Sequence, residues 1–413
     1  MRISHEGISD IFRQACSQGF VEREDTVLHF ISSNVLRQKL ESVKKAFPSN
    51  SIHTVAIKAN PLTEVLREIS LLGFGLEAAS FEEVVHAKNV DCSNIGWDSP
   101  AKTKSEIDEV MSRMPEVIIN CDSLNEAAYC SALNSKNKLL LRINPQMAGT
   151  AHASMSVAGH HSKFGEPISN RDKIVDELTI NESVSGLHVH TSSQTENFQE
   201  LSASVRAVID LAKEINQKRT IPLSIINIGG GFPVNYKGEV ELDILAYSEI
   251  LRNDCPELFN GTFQVITEFG RYYHAHAGFS VTQVAQVKNF EDHQVLICHA
   301  GADMFLREAY QPGQWPHNIL LLDKSGMVKE SEKVATDIAG PLCFGGDYIQ
   351  KSIEFKSANA EDWVAISDTG ANSIALWSKH CSRAFPKCIL YDDNDMRIIR
   401  ERDSIDRCLA FWS

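Results

Sequence analysis

The sequence has no run of apolar residues approaching the roughly 20 that a membrane-spanning helix needs. It also lacks a surplus of positive charge. Its 40 lysines and arginines stand against 54 aspartates and glutamates, for a net charge of −14. Nucleic acids and anionic membranes both require a basic face, so neither is expected as a partner. Ten cysteines are scattered without a single CxxC pair. Neither a zinc site nor a disulfide framework is therefore expected, and a reducing cytoplasm is the simplest home. The first twenty residues are interrupted by charges and contain no signal-peptide core. Low-complexity linkers and internal repeats are missing as well.

What is present is a globular composition, 43% hydrophobic and 23% charged, over 413 residues, enough for two domains. From about residue 50 to 275, short apolar runs alternate with amphipathic ones. HTVAIKA (53–59) reads as a strand, and TEVLREISLLGF (63–74) follows it with helical spacing. EVIIN (116–120), KLLLRIN (138–144), SGLHVHT (185–191), LSIINIGGG (223–231) and FQVITEFG (263–270) are further strand candidates, with helical stretches such as 201–218 between them. Repeated strand–helix units on this scale predict an α/β fold, a parallel (β/α)8 barrel of the TIM type over 28–275. After 275 the runs FSVTQVAQVKNF, HQVLICHA, HNILLLDKSG and DWVAISDTG are separated by turns. They predict a β-rich domain over 276–413, completed by residues 1–27.

Active sites of such barrels lie at the C-terminal ends of the strands, so polar residues there carry the interest. Lys58 closes the apolar run TVAI; alone it is either a site lysine or the start of a surface loop. Gly229, Gly230 and Gly231 follow SIINI. Three glycines can turn successive N–H groups onto an anion, or simply make a flexible turn. Glu268, in TEFGRYY, is by itself as well explained by an ion pair with Arg271. His188 and His190 share one strand face, a pattern that also occurs in metal-dependent amidohydrolases.

Taken together and in order, AIKAN, LEAAS, LRINP, SKFG, GLHVHTSSQ, NIGGGFP, TEFGRYY, AGADMFLR, GPLCFGGD and SDTGAN resemble the pyridoxal-phosphate enzymes with an alanine-racemase-like barrel. Within these the likeness is to the diaminopimelate and ornithine decarboxylase group. The resemblance implies pyridoxal 5'-phosphate as cofactor, Schiff-base-linked to Lys58, and no metal. It implies that His190 stacks on the pyridine ring, that Glu268 pairs with the ring nitrogen, and that Arg142 lies beneath the cofactor. Ser193, the glycines 229–231, Gly270 and Arg271 are implied around the phosphate, with Arg271 also near the substrate. Cys343 is implied to come from a second subunit and to return a proton to the substrate carbon, so a homodimer with shared active sites is expected. The reaction implied is decarboxylation of an amino acid or an amino-acid conjugate.

Three positions depart from the group's pattern. Phe344 stands where its decarboxylases carry an acidic residue for the substrate's distal ammonium; Asn372 replaces a tyrosine near the phosphate; Glu77 replaces an aspartate. Arg307 matches an arginine that holds a substrate carboxylate, and Tyr310 aligns with a substrate tyrosine. From Phe344 and Arg307 we expect a carboxylate-rich substrate, such as a citryl–diamino-acid intermediate of siderophore assembly, and not ornithine, lysine or diaminopimelate. The alternatives are a racemase, against which Glu268 argues, and a non-catalytic cofactor-binding regulator, against which the joint presence of Lys58, Glu268 and Cys343 argues.

Overall fold

A computed structural model describes residues 2–147, 157–236 and 241–413. Two compact units divide the chain: Lys39–Val234 with Leu242–Tyr272, and Met1–Gln38 with Asn235–Glu241 and Tyr273–Ser413.

The chain's first strand, β1 (Val27–Ser32), belongs to the second unit. The next eight make up the first unit: β2 (Ile52–Ala56), β3 (Gly75–Ala78), β4 (Ile95–Asp98), β5 (Val117–Cys121), β6 (Leu139–Asn144), β7 (Val184–Val189), β8 (Ile225–Asn227) and β9 (Gln264–Thr267). All pair in parallel, in the order β5-β4-β3-β2-β9-β8-β7-β6, and β5 also pairs with β6. The sheet is thus a closed eight-stranded barrel. Strands β3, β4, β5 and β6 are buried at every position, as strands covered on both faces should be.

The helices between them start on capping side chains. Ser80, Ser123 and Asn197 each accept a hydrogen bond from the first turn, and Thr103 with Glu106 forms a reciprocal capping box. In the helix Phe198–Asn216, buried Leu201, Val205, Val208, Ala212 and Ile215 recur at helical spacing and make the barrel-facing stripe.

Alternation along the strands sets the inside of the barrel. Ile118, Leu140, Ile225 and Ile266 pack into one apolar cluster with Ile52 against it. Two residues further along each strand, hence on the same face, stand Asn120, Arg142, Asn227 and Glu268. An apolar plug therefore carries a polar layer directly above it, at the C-terminal ends. Room in the plug is made by Gly186, where a Cβ would press on the backbone of Ile225 and lie 2.6 Å from Leu140 Cδ2.

The second unit is built on a mixed sheet. Its strands are β1, β10 (Gly278–Asn289), β11 (His293–Cys298), β12 (Ile319–Leu322), β13 (Lys333–Ala339), β14 (Tyr348–Lys356), β15 (Trp363–Ile366), β16 (Lys387–Tyr391) and β17 (Met396–Arg400). The order is β14-β13-β11-β10-β1-β16-β17, with β15 joining β10 to β12. The N-terminal segment completes this domain, but it runs to Gln38 and not to residue 27, taking in β1, nearly all of which the sequence reading had given to the barrel. Strand β1 lies between β10 and β16, and Ile8 and Phe12 of the helix His5–Ser17 join its core with Leu28, Phe30, Phe279 and Ile389. Phe30 and Phe279 stack with ring centroids 4.7 Å apart.

Candidate active site

Strand β2 ends at Ala56 and passes into a short 3-10 turn, Ile57–Ala59. Ile57 and Ala59 are buried, so the turn is anchored by its flanks while Lys58, with 48% of its side chain exposed, projects between them. Its Nζ donates to both oxygens of buried Glu77, at 2.7 and 2.5 Å. Burial alone would pull the ammonium down, but Glu77, Asp98 and Glu268 together hold it above its ordinary value. On the Glu77 side, burial pushes the carboxyl up to about 8, with Lys58 opposing and the neighbouring carboxylates Glu268 and Asp98 adding. Lysine and glutamate thus form a tightly hydrogen-bonded pair.

Glu268 lies just past β9 and is 3% exposed. Its Oε1 accepts from Asn227 Nδ2 at 2.6 Å and from Asn120 Nδ2 at 2.9 Å. Oε2 accepts no hydrogen bond and has His188 Nε2 at 3.3 Å. Burial works against ionisation, yet His188 and Asn227 outweigh it and bring the carboxyl down to about 2. Glu268 is a buried carboxylate with one oxygen in reserve.

Arg142 Nη1 lies 2.9 Å from Asp98 Oδ2, both residues being buried, and its guanidinium covers the Phe164 ring at 4.5 Å. Arg142, His188 and Asn227 are opposite one another across β6, β7 and β8 and so point to one face. His190 follows β7. Burial, with Arg142 and Lys58 nearby, takes its ring down to about 3, so it is neutral at physiological pH. Its Nδ1 accepts the Gly230 N–H at 3.2 Å, which puts the ring proton on Nε2.

At the glycine triplet, Gly229 and Gly231 adopt φ of +66° and +96°. A Cβ on Gly230 would stand 2.5 Å from the Glu268 carbonyl oxygen, and one on Gly229 or Gly231 would strike the backbone of Val189 or Ser192. Only backbone fits between β7 and β9 here. Asn227 Oδ1 pins the turn by accepting the Gly229 N–H at 2.9 Å. Gly270 packs against the Lys58 turn, where a Cβ would lie 2.8 Å from Ala56 Cβ and 3.1 Å from Ala59 Cβ. Arg271 then donates to Ser193 Oγ at 3.4 Å.

The ten predicted barrel residues, from Lys58 to Arg271, therefore gather at one end of the barrel. Asp98, Asn120, Asn227 and His188 join them as a supporting layer. The sequence reading considered His188 only as half of a metal-binding pair and gave the other three no role, although each of the four stands at the C-terminal end of a strand. Metal-ligand geometry is also met: single ligand atoms of His188, His190 and Glu268 lie within 4.8 Å of one another, as do those of Glu77, Asp98 and Glu268.

The remaining predicted residues belong to the second unit. Cys343 is exposed in the turn joining β13 to β14. Phe344 stacks on Tyr310, centroids 5.4 Å apart and planes 16° off parallel. Arg307 donates to Asn372 Oδ1 at 3.4 Å and covers the Trp315 ring at 4.8 Å. Asn372 holds a φ of +58°, a conformation asparagine tolerates well and tyrosine poorly.

Residues 33–275 match the family model described as the pyridoxal binding domain of pyridoxal-dependent decarboxylases. The chain belongs to this family. It is a carboxy-lyase whose cofactor is pyridoxal phosphate, and the metal-dependent amidohydrolase alternative falls. Among curated relatives, the diaminopimelate decarboxylase of Aquifex aeolicus is 27% identical over 390 residues, covering 92% of this chain and 90% of its own. That of Deinococcus radiodurans is 26% identical over 393 residues, covering 94% and 96%. The crystal structure of diaminopimelate decarboxylase from Helicobacter pylori complexed with L-lysine superposes with a TM-score of 0.86 at 22% identity, over 96% of this chain and 99% of that one. That likeness bears on the fold.

These relatives overturn the expected substrate. The exclusion of ornithine, lysine and diaminopimelate rested on Phe344, and the citryl-conjugate substrate put in their place on Phe344 together with Arg307. The relatives that match nine-tenths of the chain carry the name of an activity that reading ruled out. The inference gave a cation–π contact at Phe344 little weight beside a carboxylate, but Phe344 does not stand alone: it stacks on Tyr310, and a paired aromatic face attracts a cation.

The residues present fit the cofactor. Glu268 keeps a buried, ionised oxygen without a hydrogen bond, as a protonated ring nitrogen requires. The glycine triplet leaves a cradle that any side chain would fill.

Proposed function

We propose that the protein decarboxylates a diamino acid of the diaminopimelate type, releasing carbon dioxide from an amino-acid carbon and leaving an amine. The observation that carries the substrate class is the agreement of relatives, 24–27% identical across most of the chain, all named diaminopimelate decarboxylase.

Lys58 would hold the cofactor covalently through Nζ, Glu268 would receive its ring nitrogen, and His190 would lie on its ring. Gly229–Gly231, Ser193, Gly270, Arg271 and Asn372 would surround its phosphate, and Arg142 would lie beneath. When bound, pyridoxal phosphate accepts the electron pair left by the departing carboxylate. Glu268 sustains that capacity: its carboxyl, brought down to about 2 by His188 and Asn227, stays ionised and favours a protonated partner. Lys58 must lose its proton to act as a nucleophile, and Glu77, hydrogen-bonded to it through both oxygens and made more basic by burial, would be the group placed to exchange it. The neutral ring of His190 adds no positive charge beside the reacting centre.

In the second unit, Cys343 would return a proton to the substrate carbon, and Arg307 with the Tyr310–Phe344 face would receive the substrate's far end. Arg271 would contact the substrate as well. The exposed, solvent-facing thiol supports a homodimer in which Cys343 serves the partner's barrel. Ten unpaired cysteines support a reducing, cytoplasmic setting.

The test is carbon dioxide release by purified protein supplied with pyridoxal phosphate and given diaminopimelate, lysine or ornithine in turn. Release from diaminopimelate is expected, with Lys58→Ala reducing it to background and abolishing the visible absorbance of the bound cofactor. Bound cofactor without release from any diamino acid would overturn the substrate class.

A further inference from the structure

The turn between β13 and β14 is closed at its base by the Gly340 N–H donating to the Asp347 carbonyl at 2.8 Å, and it carries Cys343 at its exposed tip. Inside it lies the Asp347 side chain, 3% exposed. One carboxylate oxygen, Oδ2, accepts the Leu342 N–H at 2.6 Å, immediately before Cys343. The other, Oδ1, accepts the Ala302 N–H at 2.5 Å, from the segment leading into the helix Leu306–Tyr310. Two glycines make this possible. A Cβ on Gly301 or Gly340 would strike an Asp347 oxygen, and each would also come against the other's Cα, at 2.6 Å in the case of Gly301. The two segments thus meet glycine to glycine with one buried carboxylate bonded to both.

We propose that Asp347 is a positioning residue that fixes the Cys343 turn against the segment bearing Arg307 and Tyr310. The inference rests on the reading of Cys343 as the proton donor. A buried carboxylate with two backbone donors is costly to disturb, because each N–H it leaves is desolvated without a partner. It therefore holds the turn in one arrangement and sets where the thiol stands relative to Arg307. Met304 and Phe305 N–H groups both donate to the Gly301 carbonyl, at 3.0 and 2.7 Å, so the second segment is itself a rigid turn and not a loose strap.

Asp347→Asn keeps the shape but turns one oxygen into an NH₂ that faces a backbone N–H. In the enzyme loaded with pyridoxal phosphate we expect kcat to fall by about ten- to a hundredfold, with KM moving by less than about threefold. Cofactor absorbance should be unchanged. In a Cys343→Ala background the same substitution should cost less than about twofold, because the group it positions is gone. If Asp347→Asn does not accumulate as folded protein, Gly340→Ala, which presses on the same carboxylate, takes its place in the cycle. Undiminished loss in the Cys343→Ala background, or wild-type turnover in both variants, overturns the positioning role alone. Wild-type turnover in Cys343→Ala itself brings down the reading of Cys343 and this inference with it.

Discussion

Glu268 and Glu77 are the same residue type a few ångströms from the same lysine, and their surroundings send them in opposite directions. Glu268 has two asparagine amides on one oxygen and His188 near the other, so it is ionised throughout the physiological range. Glu77 has Lys58 and otherwise only carboxylate neighbours, so burial dominates. On the proposed reading, this separation suits one to the ring nitrogen and the other to exchanging the proton of Lys58. Glu268→Gln should therefore retain cofactor through Lys58 but lose on the order of 10²–10³ in kcat, read by steady-state kinetics of the loaded enzyme. Glu77→Gln removes the partner that lifts Lys58, leaving burial to pull its ammonium down. Lys58 should then lose its proton at lower pH. The pH midpoint for pyridoxal phosphate uptake by cofactor-free enzyme should fall relative to wild type; an unchanged or higher midpoint would contradict the pairing.

At the scale of the element, the strand ends decide what could be read from the sequence. Lys58, His190, the glycine triplet and Glu268 were legible because each follows an apolar run, and in the structure each stands just beyond the strand and not within it. Leaving the ladder frees the backbone to take the φ of +66° and +96° that the triplet needs. The polar layer above the apolar plug was present as I-x-N at 118–120 and 225–227, L-x-R at 140–142 and I-x-E at 266–268. Its meaning needs barrel closure, since Asn120 and Asn227 stand more than 100 residues apart and reach the same Glu268 oxygen only across the lumen. Strands β3 and β4, four residues each, are too short for periodicity to reveal. The substrate was least legible, because two positions, Phe344 and Arg307, were made to speak for a whole pocket. For the glycine turn the expectation is direct. Gly230→Ala should weaken pyridoxal phosphate binding by at least about tenfold in a spectroscopic titration, and cost about 1–3 kcal/mol by denaturant unfolding. Wild-type cofactor affinity would show that the turn can yield.

For the whole molecule, four buried histidines set the response to acid. Burial lowers His29 and His274 to about 3, burial with Arg142 and Lys58 lowers His190 to about 3, and burial with Lys44 lowers His53 to about 4. Each is neutral when folded and takes a proton near 6.5 when unfolded. Their contribution to stability is complete above that value and is lost as pH falls toward 3–4, at about 1.4 kcal/mol per pH unit for each. His317 works the other way, since Glu308 lifts it above its ordinary value despite burial. With the lowered rings outnumbering the raised one, the urea midpoint should drop steadily from pH 7 to pH 4.5; a flat profile would mean that these rings gain protons while still folded.

The place of β1 in the sheet also sets a timetable. This strand is made early, yet its two neighbours are Gly278–Asn289 and Lys387–Tyr391. At about 5–20 residues per second, a ribosome needs some tens of seconds to travel from the one to the last of the others. Until Gly278–Asn289 emerges, Leu28, Phe30 and Ile31, buried in the finished protein, have no strand partner, and the other edge of β1 stays open after that, though the residues of the barrel have already been made. Newborn chains are therefore most vulnerable to wrong pairing at their front end, and the interval closes only when Tyr391 emerges.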